Sequence, residues 1–498
     1  MSAGSAVKRL LVQASHYSLA SVMTMLAGLV TFPILTRVFS VKDYGAMNLV
    51  AATVSVSVAF GKVGIQHSIV RYQSEISAGK SQFTLGQLFS TTILGMGATA
   101  LVVMMVLVGG THLVPASWLG DHSEVRFLIT IASGLILVQV LESALVNFLR
   151  AEQNTTALMK YQVGKKYLSL GLILTSVLVI SRSLTAFYSA SVASEALAVV
   201  ALFILLVRRG HPFPTAGQFS TPLYKQLLSF GIPMMIGYEF SGLVLAVGDR
   251  YVIDGLLGQE QLGLYSAAYN LCQYVQAAVI ASIGQAIMPI YMQMWDRQGH
   301  DETAAFIDRS LRTYVLFGAP IIAGMAAVAT ELLPSLASSK YESASAVLPW
   351  VIAGMVVDGT NAMVGAGLFI HRKTRTIMAI VLTCAALNVG LNFVLIPHIG
   401  ILGGAVATLV SYAATSLAMA IAGHRLLAVH IPWMTLLRSG IAAAAMYGAV
   451  IFLVPGRRFL TVGVRAAVGA TVYGALMLLL DQDARALVKK ALGRFRRT

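Results

Sequence analysis

Residues 46–68 read A-M-N-L-V-A-A-T-V-S-V-S-V-A-F-G-K-V-G-I-Q-H-S. A run of this length and apolarity is what a helix needs to cross a hydrocarbon core of ~30 Å. Wound as a helix, it sets Asn48, Ser55 and Lys62 on one line, with Ala52, Ala59 and Gln66 beside them. Val50, Val54, Val58 and Phe60 cover the other faces. The stretch is therefore a membrane span with one small, polar face and an ammonium group on it. An ionisable side chain there costs roughly 2.5–3.5 kcal/mol on insertion scales, so it needs a partner or a watery cavity.

The rest of the chain repeats the apolar theme. Of 498 residues, 57% are hydrophobic and 11% charged, whereas a soluble protein carries about a quarter charged residues. Apolar blocks of helical span length recur along the chain, and the ~10-residue alternating segments of a membrane barrel do not. The expected fold is an all-α polytopic membrane protein with about 14 transmembrane helices. The first block, Leu10 to Val38, is too long for a signal core of about 7–15 residues and reads as an uncleaved span. Cys272 and Cys384 lie far apart inside apolar blocks and suggest packing, with neither a disulfide nor a metal site.

The net charge of +15 follows membrane topology, with no pattern for nucleic acid. With the N-terminus inside, 25 of the 35 basic residues fall in inner loops and the tail, nine fall outside, and Lys62 falls in neither. That bias places both termini in the cytoplasm. Lys165 and Lys166 are counted with the inner loops and Arg465 with the outer ones. The tail, with Lys489, Lys490, Arg494, Arg496 and Arg497, suits an anionic lipid leaflet.

The chain also repeats itself. R-V-F-S-V-K-D-Y-G-A-M at 37–47 aligns with D-G-L-L-G-Q-E-Q-L-G-L-Y at 254–265, which sets Gly45 opposite Gly263. Leu174, Val177, Leu178 and Ala190 fall opposite Leu391, Val394, Leu395 and Ala407 at a constant offset. Six spans per repeat make a parallel repeat of two six-helix bundles, 8–207 and 227–423. Between them, 208–226 reads as a cytoplasmic linker; 438–480 holds two extra helices and 481–498 the basic tail.

Other polar groups fall inside expected spans. Glu239, Gly242, Ala246 and Asp249 share a face of the seventh, with Arg250 adjacent. Asn270, Gln273 and Gln276 mark the eighth, and Asp358, Glu142 and Glu195 also lie within spans. Ordinary helix packing uses small, polar faces too, and Lys62 is near enough to a helix end to snorkel. A cationic, amide-rich lining suits an anionic headgroup carrying hydroxyl-rich sugars, because phosphate accepts from Lys and Arg while amides both donate and accept. The carboxylates Glu239, Asp249 and Asp358 are candidates for coupling to a proton or sodium gradient. No nucleotide-binding loop, zinc-protease motif or catalytic triad motif is present, so neither an enzyme nor an ATP-driven pump is expected and no bound cofactor is implied.

Several stretches then resemble a known family. F-G-I-P-M-M at 230–235, G-D-R-Y-V-I-D-G-L-L-G at 248–258 and L-G-L-Y-S-A-A-Y at 262–269 are similar to the Wzx-type polysaccharide flippases. So are F-P-I-L-T-R-V-F-S-V-K-D-Y-G at 32–45, G-I-Q-H-S-I-V-R-Y at 64–72 and N-F-V-L-I-P-H-I-G-I-L-G-G-A-V-A-T at 392–408. These flippases belong to the multidrug/oligosaccharidyl-lipid/polysaccharide exporter superfamily. The resemblance implies two six-helix bundles around a central cavity, in the bacterial inner membrane. It implies an undecaprenyl-pyrophosphate-linked oligosaccharide as substrate, with a polysaccharide polymerase and chain-length proteins as partners. On that reading Lys62, Arg37 and Arg250 meet the pyrophosphate, and Asn48, Ser55, Gln66, Asn270, Gln273 and Gln276 meet the sugars. The related lipid II flippases carry several arginines in the first span; here that span has only Arg37, at its end, which argues against a peptidoglycan substrate. The rivals are a multidrug antiporter of the same fold, which favours an acidic cavity, and a membrane polymerase or ligase, which favours large outer loops.

Overall fold

The computed structural model describes residues 3–113, 123–152, 154–454, 459–481 and 485. The basic tail expected beyond Asp481 lies, Arg485 apart, outside the described residues. Among them the secondary structure is helical throughout. Twelve helices among the described residues are long and apolar enough to cross a membrane, or thirteen if the pair Thr221–Gly237 and Ser241–Leu257, bent by 47°, forms one span. The expected eighth span, 262–292, is helical but is not among these.

The chain packs as two compact units: Met1–Asp254 with Gly258–Gly263, and Gly255–Leu257 with Leu264–Thr498. In the first, α1 (Ala3–Val38) lies along α7 (Thr155–Thr175). The helix α2 (Val41–Lys62) packs on α4 (Leu85–Leu113) and α6 (Gly134–Ala151), preceded by α3 (Gln66–Ser77) and α5 (Ser123–Ala132) respectively. The bundle continues through α8 (Leu184–Arg208), α9 (Thr221–Met234) and α10 (Ser241–Leu257). Local chemistry sets several starts. Ser40 and Asp43 form a reciprocal capping box on α2, which satisfies two backbone donors the helix leaves open. Asn154, Ser183 and Ser220 each accept one backbone donor, from Ala157, Ala186 and Leu223, at the starts of α7, α8 and α9.

The stretch between α8 and α9 is bonded to the first unit. Gln218 Oε1 accepts from Ser90 Oγ at 3.1 Å, Ser220 N donates to Thr91 at 2.9 Å, and His211 meets Glu152 at 2.6 Å. His211 is buried between Phe89 and Phe148. The repeat-matched glycines also meet. A Cβ on Gly45 would fall on the carbonyl of Gln259, and one on Gly263 on the carbonyl of Val41. Two equivalent helix starts thus approach backbone to backbone, a contact that only glycine permits.

The helix α11 (Gln259–Val275) enters the second unit at Leu264 and leads through a π turn (Gln276–Ile280) into α12 (Ala281–Gln298) and then the long α13 (His300–Leu336). The helices α14 (Leu348–Asp358), α15 (Asn361–Val364) and α16 (Ala366–Ile370) form a broken span. They are followed by the hairpin of α17 (Thr374–Ile399) and α18 (Ile401–His424). The two extra helices, α19 (Trp433–Leu453) and α20 (Phe459–Leu480), pack on α13. Leu316, Ala327, Ala442, Met446 and Tyr473 form their common core, and the Tyr473 hydroxyl donates to Leu316 O at 2.8 Å.

Lys165 and Arg465, counted as loop charges, are helix-internal. Lys165 lies midway along α7, 2.6 Å from Glu142 and 3.1 Å from Glu195. Arg465 lies within α20, buried, and pairs with Glu331 at 2.7 Å while donating to Ala327 O. Hydropathy alone placed them at helix ends, because the carboxylates that pair them come from other spans.

Candidate functional site

The site is built where the second and seventh spans run antiparallel inside the first unit. Tyr251 donates to Thr53 at 3.1 Å, the rings of Phe240 and Phe60 lie 5.3 Å apart, and Ser68 donates to Leu227 O. Between these contacts the second span breaks. Val63 (φ 48°) and Gly64 (φ 71°) both take the left-handed conformation and end α2 one turn before α3 begins. The break seats Gly64 directly on Gly231 of α9, where a Cβ on either would strike the other's backbone.

The seventh span is irregular at the matching level. Beyond Pro233 the helix widens into a π turn, Met235–Phe240. Such turns are concentrated at functional sites because the extra residue re-aims the side chains that follow. Here it carries Glu239. Lys62 Nζ lies 3.2 Å from Glu239 Oε1, Gln66 Nε2 donates to Glu239 Oε2 at 2.5 Å, and His67 Nε2 stands 3.8 Å from the same oxygen. Lys62 and Glu239 side chains are 22% and 19% exposed, so the pair is largely desolvated yet still reachable.

Three residues expected to act separately are thus one cluster: Lys62, Gln66 and Glu239. The sequence reading missed His67. A signal existed, since His67 follows Gln66 within a polar run, but a helix continued straight from α2 would have turned it away.

The other expected residues fall elsewhere. Asn48 is buried and donates to Tyr44 O of its own helix at 2.8 Å; Ser55 donates to Ala51 O in the same manner. At 1.5 Å per residue, Asn48 stands about 20 Å along the helix from Lys62. Arg37 is exposed and donates to Pro33 O at 3.0 Å. Asp249 and Arg250 are buried on α10. In the second unit, Asn270 and Gln276 are half-buried and Gln273 is exposed. Asp358 accepts from Asn361 at 2.9 Å, and Asn361 in turn accepts from Ser416 at 2.8 Å. That carboxylate has a polar surround from the tenth and twelfth expected spans.

Known proteins share both the sequence pattern and the fold. The family model described as "Polysaccharide biosynthesis protein" matches residues 10–295, more than half of the chain and all of the cluster. The chain belongs to this family. The succinoglycan biosynthesis transport protein ExoT of Rhizobium meliloti is 24% identical over 349 residues, 68% of this chain and 64% of ExoT. The probable low-salt glycan biosynthesis flippase Agl15 of Haloferax volcanii is 23% identical over 195 residues, 39% of each chain. The matches thus span between about two fifths and just under two thirds of these relatives' own lengths. In three dimensions, the lipid II flippase MurJ in an inward-closed conformation superposes with a TM-score of 0.76 at 14% identity, covering 94% of this chain and 99% of MurJ. At that identity the likeness is one of fold. The family is therefore read from the sequence match, and the fold of this multi-pass membrane protein is like that of MurJ.

Proposed function

We propose that this member of the polysaccharide biosynthesis family is a flippase. It carries an undecaprenyl-pyrophosphate-linked oligosaccharide from the inner to the outer leaflet of the bacterial cytoplasmic membrane, for O-antigen, capsule or exopolysaccharide assembly. The observation that carries the reading is the Lys62–Gln66–Glu239 cluster: a cation and an amide held at a broken helix inside an apolar bundle. A lysine retained there at an insertion cost of roughly 2.5–3.5 kcal/mol suits an anionic cargo, and the amide beside it suits hydroxyls. The names of the matched relatives point the same way. By helix arithmetic Lys62 lies ~32 Å from Val41, at the inner end of its span on the proposed topology, where an inner-leaflet headgroup arrives.

Transport proceeds by alternating access, the polyprenyl tail staying in lipid while the headgroup crosses. Arg37 and Arg250 are secondary candidates for the phosphates, and Asn48, Ser55, Asn270, Gln273 and Gln276 for the sugars. Glu239, Asp249 and Asp358 are the candidates for coupling to a proton or sodium gradient. A polymerase and chain-length proteins would act on the delivered unit.

A deletion strain tests the function. Lipid-linked repeat units should accumulate unpolymerised on the cytosolic face, with loss of the surface glycan. Normal surface glycan in the deletion strain, or resistance to drugs as the sole phenotype of the chain, overturns it.

A further inference from the structure

We propose that Glu239 is a built-in stand-in for the substrate's phosphate: it occupies Lys62 and Gln66 in the unloaded carrier, and the incoming diphosphate must displace it. The inference rests on the reading of Lys62 as the phosphate-binding cation and adds the competitor that the substrate displaces.

The geometry is that of an anion site with the anion supplied by the protein. Lys62 Nζ, Gln66 Nε2 and His67 Nε2, all from one six-residue segment, converge on the two oxygens of a single carboxylate from another span. Carboxylate and phosphate oxygens accept from the same donors with the same preferred distances. A bare ammonium in this setting would be costly, and a carrier must return empty. An internal anion keeps Lys62 paired on the return, so loading exchanges one anion for another rather than uncovering a buried charge.

The amide of Gln66 adds a second, independent sign. Only its Nε2 can donate to a carboxylate, which fixes the amide's orientation. Its Oε1 is then turned elsewhere, buried, with no hydrogen-bond partner in the protein. An orphaned buried acceptor wants a donor, and a hydroxyl of the sugar next to the diphosphate is one. When the diphosphate takes Lys62, Glu239 keeps His67 as its neighbour.

The exchange lowers affinity without itself sorting ligands: displacing Glu239 costs the same whichever anion arrives, so the choice between anions rests with the cation and the amide.

Binding of farnesyl diphosphate to the purified full chain in nanodiscs tests this. The variants are Lys62→Gln, Glu239→Gln, Glu239→Asp and the Lys62→Gln/Glu239→Gln pair, each checked for monodispersity. Glu239→Gln should bind the diphosphate about tenfold tighter than wild type. The gain should vanish in the Lys62→Gln background, where no cation remains to be freed. Should Glu239→Gln not fold, Glu239→Asp, whose shorter carboxylate holds Lys62 less well, should show a smaller gain in the same direction. Equal or weaker binding by the Glu239 variants, with wild type binding normally, overturns the stand-in and leaves the flippase reading intact. So does a gain that persists without Lys62. Absence of diphosphate binding by wild type and every variant overturns both.

Discussion

Gly64 of the second span and Gly231 of the seventh touch backbone to backbone, and neither position has room for a methyl group. Gly64 is also left-handed, a conformation that costs an L-residue roughly 1–2 kcal/mol. Gly64→Ala therefore carries both penalties and Gly231→Ala the steric one alone. Both should lower the thermal unfolding midpoint in detergent, Gly64→Ala more, and both should reduce surface glycan by pushing Lys62 away from Glu239. Gly79 makes a fair control: it too has a positive φ, but open space surrounds it. Gly79→Ala should show the backbone penalty without the loss of transport.

Val63 is a β-branched residue at φ 48°, and holding such a residue there costs about 1–3 kcal/mol. Val63→Gly should raise thermal stability by about 1 kcal/mol after the glycine's own entropy is counted. A lower midpoint would mean that Val63's packing outweighs its backbone strain.

Lys165 bridges Glu142 and Glu195 across three helices of the first unit, and Tyr161 donates to Glu142 at 2.9 Å. Removing the cation leaves two carboxylates facing each other in an apolar bundle. Lys165→Met should cost about 3–5 kcal/mol, measurable as loss of folded protein on extraction. Adding Glu142→Gln and Glu195→Gln should restore most of it. If Lys165→Met alone is as stable as wild type, the triad is not a staple.

Arg465 and Glu331 fasten the extra helix α20 to α13 through a buried pair at 2.7 Å. Arg465→Met should destabilise the chain by a similar amount, about 3–5 kcal/mol, and Arg465→Met/Glu331→Met by much less. The thermal unfolding midpoint in detergent checks both, the single variant falling well below the double one.

Fold class, the number of spans to within one or two, and the polar face of the second span were all legible in the linear chain. The physical reason is that a bilayer imposes its thickness and its intolerance of charge on each helix separately, so each span carries its own record. Lys62 announced itself in this way before any contact was known. Its pairing with Glu239 did not, since the two lie 177 residues apart. Their meeting depends on a glycine contact, a left-handed break and a π turn, each set by what the other helix presents. The same holds for Lys165 and Arg465, which read as loop charges until their carboxylates arrived from neighbouring helices. Composition determines that a residue must find a partner in a membrane; only packing decides which one.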